Sequence, residues 1–141
     1  MDYREAYEKA LQLLNVRFLS EGELKAKLRR RGVDDYVLED VVAALEGEHF
    51  LDDQRLARDV YRYYARKGQY GHLYIVNRLR RRCLPVPEDV ERPDEYALAG
   101  DLVKRKFSYR ADEARKAARF LQYRGFSPSV IRDVLEDFTV H

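Results

Sequence analysis

The chain has 141 residues, of which 45% are apolar and 37% charged, and a formal net charge of only +2. It has no apolar run near the ~20 residues of a membrane-spanning helix, its acidic, polar start MDYREAYEKA is unlike a secretory signal, and its single cysteine excludes an internal disulfide. These features make a cytoplasmic, non-membrane protein the expectation. The near-neutral balance means that any case for nucleic acid must rest on local clusters.

Helical spacing begins at once. Tyr3, Ala6, Tyr7, Ala10, Leu11 and Leu14 predict a helix over residues 3–16. Ser20 with Glu23 three positions later forms a capping-box signature for a second helix. That helix runs to about Arg31 and is stopped by Gly32. Asp34 is expected to cap a third helix, whose apolar stripe is Val37, Leu38, Val41, Val42 and Leu45. His49, Phe50 and Leu51 then form a connector, and Asp52 or Asp53 caps the helix after it.

The middle of the chain starts a new unit. Leu56, Ala57, Val60, Tyr61 and Tyr64 predict a helix ending near Gly68, with Tyr61 and Tyr64 filling the core. After Gly71, Leu73, Ile75, Val76 and Leu79 predict the next helix. The stretch LPVPEDVERP has three prolines in ten residues, so a third helix here is short or missing.

The last unit opens at Asp94, with Tyr96, Ala97, Leu98, Leu102 and Val103 on one helix. Ala111 to Arg124 is expected to form another, with Ala114, Ala117, Ala118 and Leu121 inward and Gly125 as its stop. Ser127-Pro128 is a strong helix start. It leads a stripe of Val130, Ile131, Val134, Leu135 and Phe138.

These units repeat. A shift of 93 positions lays residues 24–45 on 117–138 without a gap, matching Leu28 to Leu121, Gly32 to Gly125 and Val41 to Val134. A shift of 51 lays Leu28 on Leu79 and the triplet Arg29, Arg30, Arg31 on Arg80, Arg81, Arg82. Cys83 then stands where the other units carry glycine, which implies either backbone strain or a differently shaped turn. The expected class is all-α: about three tandem three-helix repeats, at 1–51, 52–92 and 93–141.

Candidate contact residues emerge from charge and aromaticity. Lys25, Lys27, Arg29, Arg30 and Arg31 lie on the second helix, and Arg78, Arg80, Arg81 and Arg82 occupy the corresponding place in the middle unit. Guanidinium forks suit phosphates and carboxylates alike, so matching positions can form a continuous basic track. The plainer reading is a solvated helix end whose cations complement the dipole. Tyr63 and Tyr70 fall off the apolar stripe and interleave with Arg62, Arg66 and Lys67, a pattern that can stack on bases or anchor a protein partner.

Catalytic chemistry finds no foothold. Asp52 and Asp53 read as caps, because two adjacent carboxylates lack calcium-site spacing. His49, His72 and His141 are scattered, and Gly68, Gly71 and Gly100 do not make a phosphate loop. Cys83 has basic neighbours but no histidine partner in sequence. No cofactor or metal is expected.

The segments RFLSEGELKAKLRRRG, HFLDDQRLARDVYRYYARKGQYG, NRLRRRC and FLQYRGFSPSVIRDVL resemble the RecX family of RecA regulators, over about residues 3–138. That resemblance implies tandem three-helix repeats in an elongated, curved molecule. It also implies a regulator lodged in the groove of RecA filaments on single-stranded DNA, where it suppresses ATP hydrolysis, strand exchange and co-protease function; with no catalytic constellation in the residues, a non-enzymatic protein is expected, and a monomer. LPVPEDVERP departs from the family pattern. The alternative is a direct nucleic-acid-binding module with a helix-turn-helix look, although its arginines end the second helix instead of opening a recognition helix.

Overall fold

The computed structural model describes residues 1–140, with side chains through Phe138. Among the described residues there are eight α-helices and one short 3-10 turn, and no strand. They are α1 (Tyr3–Val16), α2 (Glu21–Arg30), α3 (Asp35–Gly47), α4 (Asp53–Arg66), α5 (His72–Arg81), α6 (Glu95–Lys106), α7 (Ala114–Tyr123) and α8 (Pro128–Val140), with the 3-10 turn at Ala111–Glu113 before α7. The chain is all-α, in keeping with tandem three-helix repeats. Residues 82–94 hold no helix: Pro85, Pro87 and Pro93 each lack the N–H a helix ladder needs.

The chain forms two compact units. The first comprises residues 1–59 and 79–87, the second residues 60–78 and 88 onward. In the first, α1 brings Ala6 and Ala10 against Leu24 and Leu28 of α2 and against Leu38, Val41 and Leu45 of α3, all fully buried. Small residues on α1 let its backbone approach closely while the leucines fill the space between. In the second, α6, α7 and α8 close around Ala99, Val103, Ala117, Leu121, Phe126, Val134 and Phe138.

The repeat-equivalent leucines Leu28, Leu79 and Leu121 are all fully buried, as are Val41 and, nearly so, Val37 and Val134. Val130 stands apart, only partly buried at the edge of its core. Ile131 and Leu135 of the same stripe are likewise only partly buried.

Caps account for most helix starts. Asp2, Ser20 and Asp94 each accept a backbone N–H in the first turn of α1, α2 and α6. Ser127 accepts from the Val130 amide of α8 at 3.3 Å. Asp34 departs from expectation: it occupies the cap position of α3 with extended backbone, but its side chain makes no capping bond. Asp52 and Asp53 divide their labour. Asp52 accepts from the Arg55 amide of α4, while Asp53 turns away and accepts from the Glu21 amide at the start of α2, at 2.9 Å. The helix expected from Ala111 begins as a 3-10 turn, and the Glu113 carboxylate folds back onto the Ser108 amide.

Three repeat-equivalent helices end in one and the same turn, and α3 ends in a like one at His49 (φ 65°), where Phe50 donates to the Leu45 carbonyl. After α2, α5 and α7 the chain enters the left-handed region at Gly32 (φ 86°), Cys83 (φ 57°) and Gly125 (φ 81°). In each, the next residue donates back to the buried leucine's carbonyl: Val33 to Leu28, Leu84 to Leu79 and Phe126 to Leu121. Cys83 therefore adopts the glycine conformation with a side chain attached, so the turn keeps its shape and the residue bears the strain.

Candidate functional site

The first unit carries the arginine runs. Ser20, completely buried, accepts from the Glu23 amide and donates its own hydroxyl to the Arg82 carbonyl at 2.5 Å. This fixes the end of α5 at the start of α2. Arg29–Arg31 lie at the other end of this ten-residue helix, about 15 Å away at 1.5 Å per residue.

Several cations in these runs are already engaged. Arg82, only 21% exposed, pairs with Glu23 at 3.0 Å and donates to the Phe18 carbonyl at 2.8 Å. Burial alone would push the Glu23 carboxyl up, but Arg82 and the Ser20 amide outweigh it and hold it below the usual carboxylate range. Lys25 bridges Glu39 and Glu21, and the hydrogen bond to Glu39 leads in raising its pKa. Arg29 pairs with Asp35 at 3.0 Å. Lys27, Arg30, Arg31, Arg80 and Arg81 are exposed and make no ion pair among the described residues. A spacing of three puts Lys27 and Arg30 on one side of α2, and Arg31 follows as its cap residue.

The second unit carries the aromatic cluster. Tyr70 and Tyr74 stack face to face at 3.9 Å, and Tyr64 meets both edge-on. Tyr63, 54% exposed, meets Tyr64 edge-on, with the Lys67 ammonium 4.7 Å from its ring. Arg78 donates to the Tyr74 hydroxyl at 2.8 and 3.1 Å and lies over its ring. Burial raises the Tyr74 phenol, but the bonds from Arg78 and Tyr70 prevail and lower it. Arg62 and Arg66 are exposed and make no ion pair among the described residues. Tyr61 is fully buried as expected, but Tyr64 is only half-buried and forms the hub of a ring cluster in which Tyr70 and Tyr74 are half-buried and Tyr63 is exposed. Tyr70 lies before α5 and Tyr74 within it, so helical spacing does not announce the Tyr70–Tyr74 stack. Nothing in the sequence announces Arg124, which joins it from the end of α7, 5.7 Å from the Tyr70 ring.

A polar cluster also went unforeseen. The Tyr61 hydroxyl and His72 Nδ1 share a hydrogen bond of 2.8 Å, Arg92 donates to His72 Nε2, and the His72 amide donates to Glu95. Burial first, then the Arg92 charge, lowers the His72 pKa. Among the described residues no three histidine, cysteine or acidic side chains converge to hold a metal, and no helix is long and apolar enough to cross a membrane. His141 lies outside the described residues.

Residues 6–45 match the RecX first three-helix domain and residues 93–135 the RecX third three-helix domain. The chain belongs to the RecX family. The two RecX domains coincide with α1–α3 and α6–α8, and α4, α5 and the helix-free 82–94 lie between them. Curated relatives named regulatory protein RecX include one from Geobacillus kaustophilus, 29% identical over 99% of this chain and 56% of its own length. Another, from Vibrio cholerae serotype O1, is 32% identical over 96% of this chain and 94% of its own. The chain thus spans just over half the length of the Geobacillus relatives. The crystal structure of RecX from Lactobacillus salivarius shares the fold, with a TM-score of 0.79 at 20% identity, covering 99% of this chain and 98% of that one.

Proposed function

We propose that this chain regulates the RecA recombinase without chemistry of its own, by binding as a monomer along the filament on single-stranded DNA and restraining ATP hydrolysis, strand exchange and co-protease action. The observation that carries the reading is membership of a family whose curated members are named regulatory proteins. The surface supports it. Lys27, Arg30, Arg31, Arg80 and Arg81 stay exposed and, among the described residues, unpaired in a chain with 25 acidic residues, so their charge is available to phosphates or to a partner's carboxylates. The tyrosine cluster, with Arg62, Tyr63, Arg66, Lys67, Tyr70 and Arg78, adds rings on which bases or guanidinium groups stack.

The direct nucleic-acid module is the weaker reading. A recognition helix presents its N-terminal residues to the major groove. The corresponding face of α3 exposes Asp34, Asp35, Tyr36, Glu39 and Asp40, whose charge repels phosphate.

The test is the double reversal Arg30→Glu with Arg81→Glu, measured on filaments and on naked single-stranded DNA across a salt series. Filament binding falls while helix content stays unchanged. If the arginines meet phosphate, the salt slope drops by about 0.7–0.9 per lost contact. Unaltered filament binding assigns both residues to a solvated helix end. Equal loss on naked DNA, with RecA making no difference, favours the direct module.

A further inference from the structure

The left-handed turns that end α5 and α7 each receive the start of another helix, and in both the arginine's carbonyl accepts from the cap residue while its guanidinium donates to a carbonyl just before the cap. In the first unit the Arg82 carbonyl accepts from Ser20, and the Arg82 guanidinium donates to the carbonyl of Phe18, two residues earlier. In the second unit the Arg124 carbonyl accepts from the Gly71 amide at 2.7 Å, and the Arg124 guanidinium donates to the carbonyl of Gln69, again two residues earlier. The packing is close in both. A Cβ added to Gly22 would stand 2.7 Å from the Cys83 Cβ, and one added to Gly125 would stand 2.2 Å from the Tyr74 amide nitrogen. The negative pole of one helix thus meets the positive pole of the next.

The third copy of this turn receives no helix start among the described residues. Arg31 holds the position of Arg82 and Arg124 in the repeat, and Gly32 that of Cys83 and Gly125. The Arg31 carbonyl accepts no hydrogen bond among the described residues, the Arg31 side chain is exposed without an ion pair among them, and a Cβ on Gly32 would meet nothing within 4 Å. We propose that the Arg31–Gly32 turn is a docking site for the first turn of a helix from a partner protein. Its occupied counterparts define the chemistry of that occupant. It has a serine, threonine or glycine at the cap and a free carbonyl two residues before it, and, as in the first of the two, an acidic side chain in the first turn, which Glu23 supplies to Arg82.

A second copy of this chain does not supply such a start. The repeat-equivalent position is the beginning of α7, where the Ala111 carbonyl already accepts from Ala114 within the 3-10 turn. The inference stands apart from the identity of the partner proposed above.

The test uses the helix start that the protein itself docks. A peptide of residues 17–30, stapled between Ala26 and Arg30 to hold it helical, is titrated into the isotope-labelled full chain and followed by amide NMR. The expected result is saturable shifts at Arg31, Gly32 and Val33 at or below about 1 mM peptide. Arg31→Ala in the chain weakens binding about tenfold through loss of charge-assisted bonds. Arg31→Glu abolishes it, and a peptide with Glu23→Arg restores it. Four results overturn the proposal: no saturable shift, shifts indifferent to Arg31→Ala, shifts confined to the Cys83 turn, or concentration-dependent self-shifts at Ala111–Ala114. The last would make a second copy the occupant.

Discussion

Replacing Ser20 with alanine removes one oxygen that serves two helices. The hydroxyl accepts from the Glu23 amide at 3.1 Å, and its loss as a cap costs about 1 kcal/mol. It also donates to the Arg82 carbonyl, and leaving that part-buried acceptor unsatisfied adds about 1–3 kcal/mol. Because Ser20 is sealed from solvent, water does not take over either bond. The sum, about 2–4 kcal/mol, is far above the ~0.5 kcal/mol typical of a surface change. The chain has no tryptophan, so urea unfolding is best followed by far-UV circular dichroism. Ser127→Ala is the control, since it removes a cap hydrogen bond at a half-exposed site and is worth only about 0.5–1 kcal/mol. Equal costs for the two substitutions, or a Ser20→Ala chain within about 0.5 kcal/mol of the parent, as for an ordinary surface change, would refute the double role.

Leu28→Ala and Leu121→Ala each cost about 2–5 kcal/mol in the same unfolding assay, the range for a fully buried leucine. Gly125→Ala destabilises by more than Gly32→Ala, since both put a side chain at positive φ but only Gly125 also meets a backbone, and Cys83→Gly stabilises by about 1 kcal/mol by relieving left-handed strain. His72 has a folded pKa below its unfolded value near 6.5, so the folded state resists the proton. Stability is therefore full above about pH 6.5 and is lost as pH falls through the lowered folded value. Thermal scans of the parent and His72→Asn in this window check the point: the variant shows the shallower decline on the acid side.

The helices were legible because their apolar spacing is strong and repeated, and Leu28, Leu79 and Leu121 are buried alike. Local signals carried the capping box at Ser20 and the stop at Gly32, whose bonds span only a few residues. Asp34 shows the limit of such signals. The residue type and backbone suit a cap, but the side chain does not bond. The candidate contact surface was harder. A charge run reveals its own composition and not its partners, so Lys25, Arg29 and Arg82 looked no different from Arg30 and Arg81. Glu23 was readable as half of a capping box, but its pairing with Arg82 joins residues 59 positions apart. The same distance problem hid Arg124 from the tyrosines, and Arg92 from His72.

The contact between Gly71 and Gly125 is built from main chain alone, since the atoms an added Cβ at Gly71 would meet are the Gly125 carbonyl and the Phe126 Cα. Such a contact asks of its neighbours only that they stay out of the way. Side chains around it can be exchanged over generations without altering the angle at which the two helices meet. Drift in those side chains is compatible with a shared fold at 20% identity, as with the Lactobacillus salivarius structure. Drift at the two glycines themselves is a different matter, because any larger residue there forces the helices apart.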